Sequence, residues 1–260
     1  MPPFVRIPHQ APRPGAFLHS GLRHRRLPAA SLFVVALFLS PLAAAERLTV
    51  RQVLDGDSVV LAGQRQVRLI GINAPEFGKD GQPDEPLAAA ARDRLRGLAE
   101  GKAVRLVLED EQRDRYGRWL AHLVLPDDTS VEEVLLREGL AAAVAIPPNI
   151  AQLARHQAAE EQARKARRGL WGHPYYAPAA VDSLTDAHTG FRFVRSAKFV
   201  YLDMGPHFAL RIGHADWARY FHGRAEEWRG AQIVARGWIS AQNGRLHMGI
   251  GHPAMLVRLT

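Results

Sequence analysis

Four side chains in this 260-residue chain have the types and spacing to handle a phosphate. Arg68 opens the strand-like run RLIGI, and Glu76 follows it just past Pro75. Asp57 closes the turn Asp55-Gly56-Asp57, and Arg118 leaves the glycine turn of DRYGRWL. Strand parity puts Arg68 in one row with Ile70 and Ile72, where a buried guanidinium without an anion is expensive. Its partner is a carboxylate or a phosphate, unless the side chain snorkels from the strand end to water. Asp57 and Glu76 offer hard oxygens of the kind that hold Ca²⁺ or Mg²⁺, and an arginine beside them suits a phosphate. Taken singly, Asp-Gly-Asp is also a turn whose carboxylates bond their own backbone, and Arg118 a solvated hairpin residue.

Alternating β-branched and apolar residues broken by DGD and AGQ predict strands from Leu48 to Ile72. The stretch from Asp84, with Pro86 early and Leu87, Ala91, Leu95 and Leu98 at helical spacing, predicts a helix stopped by Gly101. Residues 103–109 and 118–125 return to strand. A Ser130/Glu133 capping box opens a short helix that ends at Gly139. A last helix over 150–168 carries Glu160–Arg164 and Glu161–Lys165 at i,i+4 spacing. Five short strands with helices inserted after the third and around the fifth predict a small closed barrel of the OB-fold type, an α+β architecture.

Residues 1–45 read differently: Arg23, Arg25 and Arg26, an apolar run from Leu32 to Leu39, then Ala43-Ala44-Ala45. Basic, apolar, small is the order of a secretory signal peptide, and the run is short for a membrane span of about 20 residues. The expectation is export to the periplasm or medium without lasting membrane association; an uncleaved anchor is the alternative. The leader carries five of the 34 basic residues and none of the 26 acidic ones, so the formal charge of +8 owes much to it. Beyond it, residues 46–180 hold 19 basic and 20 acidic side chains, and residues 181–260 hold 10 and 6. That imbalance suits a polyanionic partner without demanding one. With no cysteine, disulfides, thiolate metal sites and a cysteine nucleophile are excluded.

Together the DGDS turn, RLIGINAPE, DRYGR, the EGLA stretch and the closing GLW resemble the thermonuclease, or staphylococcal-nuclease-like, family over about residues 47–172. That resemblance implies an OB-fold barrel with helices that cleaves DNA and RNA with Ca²⁺ and little sequence preference. It implies that Arg68 and Arg118 bind the scissile phosphate and stabilise its transition state, and that Glu76 is the general base. It places Asp57, the residue at Asn73 and the backbone carbonyl of Ala74 at the metal, and Tyr116 at the substrate. Two departures stand out. Asn73 occupies the position of an aspartate, keeping an oxygen but losing a charge. The segment AAAVAIPPN lacks the aromatics that the best-known members place after EGLA. The same departures motivate an alternative, a nucleic-acid-binding module that kept the fold with catalysis weakened.

The Pro- and Ala-rich stretch 174–186 marks a boundary between a domain at 46–173 and a second small β-domain at 187–260, with no sign of an obligate oligomer. The latter resembles the small β-barrel extension of some secreted members. Its Phe199, Tyr201, Phe208 and Trp238 are either barrel core or, with Arg195, Lys198, Arg211 and Arg236, a stacking and charge surface for single strands. Six of the twelve histidines lie there without metal-binding spacing, and His122 and His156 read as packing or surface residues.

Overall fold

The computed structural model describes residues 47–79, 81–185, 190–196, 207–222, 228 and 231–259. The leader, Lys198, Phe199 and Tyr201 lie outside them, as does the side chain of Arg195.

The alternating run at the start forms β1 (Arg47–Val53), β2 (Ser58–Leu61) and β3 (Arg65–Leu69), paired antiparallel in sequence. After β4 (Ile72–Asn73) and helix α1 (Ala88–Ala99) come β5 (Ala103–Val107) and β6 (Trp119–Val124). Strand β6 runs parallel to β3, with Leu120 opposite Arg68, and β5 pairs with both β6 and β1, closing a five-stranded barrel. Val50, Leu61, Val67, Leu69 and Leu123 fill it, with Leu95 of α1 and Leu135 and Leu136 of α2 (Val131–Arg137) against them. The barrel and its helices are the OB-fold arrangement read from the strand pattern.

Two helix starts differ from their expected form. Helix α1 begins at Ala88, because Leu87 turns to φ 71° and residues 84–87 remain outside, where Glu85 meets Glu76. Ser130 caps α2 by accepting from Glu133 N, but Glu133 does not reach back; its carboxylate takes Arg137 and Arg155 instead.

The rest of the chain builds a second core. After β7 (Ala142–Ala143), which pairs with β4, and α3 (Leu153–Lys165), the stretch expected as a linker contributes Tyr176 and the edge strand β8 (Ala179–Ala180). Strands β9 (Gly190–Ser196), β10 (Phe208–Arg211), β11 (Ile233–Gln242), β12 (Arg245–Gly249) and β13 (Leu256–Arg258) follow. The sheet runs β10-β12-β11-β9-β8, with β13 on the edge of β11 that β12 leaves open. Its core of Phe193, Val194, Phe208, Ile233 and Met248 also takes in Ala142, Val144, Ala145 and Leu170 from the nuclease-like part. The described residues accordingly make one compact unit. Among the described residues no helix is long and apolar enough to cross a membrane.

The strongest tie between the cores is a buried ion pair. Glu160 on α3 accepts from Ala143 N at 2.8 Å and from Arg236 Nη1 at 2.7 and 2.8 Å, while Arg236 also donates to Ala143 O at 3.1 Å. Removing the acid leaves a buried guanidinium without a counter-charge, so Glu160→Gln is expected to destabilise the protein by about 3 kcal/mol. Pairing it with Arg236→Met should recover most of that loss. Urea unfolding midpoints measure both, and a wild-type midpoint for Glu160→Gln would exclude this role.

Candidate active site

The DGDS turn joins β1 to β2, closed by Leu54 N on Ser58 O at 2.9 Å, with Asp57 N on Asp55 Oδ1 at 3.0 Å. A turn with self-bonded Asp is thus one part of the description, but Asp57 itself points inward and is only 2% exposed. Glycine is needed between the two aspartates. A Cβ at Gly56 would come within 2.5 Å of the Ala74 Cβ and 2.7 Å of the Ala91 Cβ. That close approach lets Asp57 Oδ2 accept from Ala74 N at 2.9 Å, while Oδ1 accepts from Ser58 Oγ at 3.2 Å.

Arg68 meets the anion that its apolar row requires. Nη1 lies 2.9 Å from Asp57 Oδ2 and also donates to Leu69 O at 2.7 Å and Ile72 O at 3.3 Å. Nη2 donates to Asn73 Oδ1 at 3.3 Å, and Asn73 Nδ2 reaches Ala74 O at 3.2 Å. Asp57, Arg68, Asn73 and Ala74 therefore form one hydrogen-bonded cluster. Burial pushes the Asp57 carboxyl up to about 7 against the pull of Arg68, with Asp55 and Glu76 adding to the rise. Burial thus outweighs the guanidinium beside it.

Glu76 lies at the partly exposed rim. Its backbone is clamped by Glu85, whose carboxylate accepts from Glu76 N at 3.1 Å and whose own N donates to Glu76 O at 2.9 Å. Desolvation, then the nearby Asp55, raises the Glu76 carboxyl above its ordinary range. Arg118 and Tyr116 sit on the turn feeding β6, organised by Asp114, which accepts from Tyr116 N at 2.9 Å, Arg118 N at 3.0 Å and Arg118 Nε at 2.7 Å. Tyr116 is 69% exposed, with Arg115 and Arg118 against its ring. These two residues keep their contacts within the turn rather than joining the Asp57 cluster.

Glu85, Glu160 and Arg236 each act on a partner distant in sequence, so no local pattern marks them as positioning residues. Pro86 after an acid reads as a helix entry, and Arg236 as one of several cations beside aromatics. In the structure Arg236 is buried, Phe208 is core, and Arg211 is held by Gln242 Oε1 at 2.6 Å. Only Trp238 of the described aromatics in that set stays 38% exposed.

The oxygens of Asp57, Asn73 and Ala74 are all hard donors. Among the described residues no three His, Cys, Asp or Glu side chains are grouped to hold an ion. A cation at this place would lean on an amide and a main-chain carbonyl as well as on Asp57.

Behind the cluster, Gly71 bends the chain between β3 and β4 at φ 76°, and a Cβ there would lie 2.4 Å from His156 Nδ1. His156 is 2% exposed and sits edge-on to His122, which Glu109 Oε1 holds at 2.7 Å. Burial, then the neighbouring His122, pushes the His156 imidazole down to about 4. Below its unfolded value of 6.5 the unfolded chain binds the proton that the folded protein refuses. Stability held above that pH is thus lost as pH falls toward 4, by about 3 kcal/mol in full. His156→Leu should flatten this acid limb in unfolding measurements from pH 7 to 4; an unchanged slope would assign the loss elsewhere.

Comparisons with known proteins bear on the same segment. The family model described as staphylococcal nuclease homologue matches residues 66–173. The chain is 33% identical over 125 residues to the thermonuclease of Staphylococcus hyicus, covering 47% of this chain and 73% of that protein. It is 34% identical over 129 residues to the thermonuclease of Staphylococcus intermedius, covering 48% and 76%. With the micrococcal nuclease of Shigella flexneri it shares 32% over 161 residues, covering 57% and 86%. A closed barrel carrying the Asp57–Arg68 cluster, matched to these relatives over most of their length, makes this chain a member of the staphylococcal nuclease family.

Proposed function

We propose that the chain is an exported, Ca²⁺-dependent nuclease that hydrolyses phosphodiester bonds of DNA and RNA with little sequence preference. The observation carrying this reading is the cluster in which Arg68 lies 2.9 Å from buried Asp57, with Asn73 and Ala74 beside it and Glu76 at its rim. The printed names of the relatives, thermonuclease and micrococcal nuclease, agree with it. Export rests on the leader-like residues 1–45, and the division at residues 174–186 into a nuclease domain and a second β-domain belongs to the same reading.

Hydrolysis adds negative charge to the equatorial phosphoryl oxygens, and fixed donors aimed at that charge lower the barrier. Arg68 is pre-oriented by Asp57, Leu69 O and Ile72 O, so a phosphate meets a guanidinium already held in place. Arg118, gripped through Nε by Asp114, offers the second. Glu76 accepts the proton of the attacking water, and its raised carboxyl brings it nearer the operating pH. Asp57, Asn73 Oδ1 and Ala74 O would hold Ca²⁺, which supplies Lewis-acid charge toward the phosphoryl oxygens. Tyr116 packs the substrate side of Arg118.

A second reading is a binding module with catalysis lost, favoured by Asn73: its amide accepts from Arg68 but adds no charge to the cluster. That module would bind single strands in a salt-sensitive manner without cutting them. Metal-dependent turnover abolished by Arg118→Ala excludes it.

Protein lacking residues 1–45 is expected to degrade single-stranded DNA at millimolar Ca²⁺. Glu76→Gln should lower kcat by about 10²–10⁴-fold, and Arg118→Ala by about 10²–10³-fold. Wild-type rates in Glu76→Gln would sink the assignment. Asn73→Asp should shift the Ca²⁺ titration of activity several-fold to lower concentration, since it adds a ligand charge. An unmoved titration would take residue 73 out of the site.

A further inference from the structure

Composition marks HPYYAPAAVDS as a boundary, yet the stretch forms a wall beside the catalytic carboxylate. Tyr176 does the structural work there: it is buried in the second core, with its hydroxyl on Pro86 O. Tyr175 belongs to neither core and is 42% exposed. Its hydroxyl lies 3.4 Å from Glu85 Oε1, the other oxygen of the carboxylate that holds Glu76 N. From the second sheet, Arg192 Nη1 reaches Glu85 Oε1 at 2.9 Å and Phe191 O at 2.8 Å, with its guanidinium carbon 5.2 Å from the centre of the Tyr175 ring. Tyr175, Phe191, Arg192 and Phe193 line a cavity of about 310 Å³. Trp238 packs edge-on against Phe191 at 5.1 Å.

We propose that this cleft is a nucleobase subsite, which takes an unpaired base of a single-stranded substrate whose scissile phosphate lies at Arg68 and Glu76. The inference rests on the nuclease reading for what the substrate is; the location and chemistry of the cleft stand on geometry. Glu85 touches both the cleft and Glu76, so the same strand reaches both. The lining favours a base over a phosphate. It is aromatic, and its one cation, Arg192, is already matched by Glu85 at 2.9 Å. A flat heterocycle fits the volume and can lie on the part of the Tyr175 ring that Arg192 leaves open. A duplex hides those base faces, so the subsite selects single strands. The segment AAAVAIPPN presents no ring of its own, and this cleft offers aromatic faces beside Glu76.

The test compares binding of oligothymidylate with binding of an abasic oligomer of equal length by fluorescence anisotropy. A Glu76→Gln background with Ca²⁺ present keeps the strand uncut. Stacking is expected to favour the base-bearing strand about 10-fold, and Tyr175→Ala should erase that preference while Tyr175→Phe restores it. Because the lost contact is to a base, the preference should hold when salt is raised, although affinity for both oligomers falls. The proposal is overturned if Tyr175→Ala leaves the preference unchanged, if it weakens both oligomers equally, or if neither oligomer binds. Failure of the nuclease reading shows separately, as absence of cleavage by the parent protein, and leaves the binding ratio to decide the subsite.

Discussion

A carboxylate with no access to water must be met by donors on every side, and Glu160 is such a group. Its position on α3 is tolerable only while the amide of Ala143 and the guanidinium of Arg236 both reach it. Three elements far apart in the chain are thereby held in one arrangement: a helix, the two-residue strand β7, and the central strand of the second sheet. Strand β7 in turn pairs Ala142 with Asn73 and Ala143 with Ile72. The backbone that carries Asn73 thus has its far edge tied to the second sheet. A second carboxylate repeats the arrangement at the rim, where Glu85 links Arg192 of that sheet to the backbone of Glu76. The C-terminal strands are built into the frame of the site.

The site itself carries internal opposition. Asp57 is buried deeply enough that its proton is held to about neutral pH, yet Arg68 and the Ala74 amide aim at its oxygens. Such an arrangement sets the desolvation of a carboxylate against its ion pair and hydrogen bonds. The packing around both turns is close: a Cβ at Gly56 would meet Ala74 and Ala91, and one at Gly71 would meet His156.

Much of this was legible in the residues alone. The alternation around AGQ and DGD yields β1 to β3, and the place of Arg68 in an apolar row demands an anion that Asp57 supplies. Ser130 reads correctly as a helix cap because capping is local. Illegible were the contacts set by tertiary packing. The helical spacing after Asp84 gives no hint that Glu85 turns back to Glu76, and strand periodicity tells that Arg236 alternates but not that its face is covered by α3. Tyr175 and Tyr176 are adjacent and identical in type, yet one is core and the other is surface. Both lie in the short 3-10 turn Pro174–Tyr176, where consecutive side chains leave about 120° apart.

The wall shared by the two cores has a consequence for how the molecule comes apart. Ala142, Val144, Ala145 and Leu170 belong by sequence to the barrel half but pack with Phe193, Phe208 and Met248. Peeling away the second sheet would expose that apolar face and strand the Glu160 carboxylate at once. Neither half has a low-energy state in which the other is open, so heat should melt residues 47–259 in a single cooperative transition rather than domain by domain.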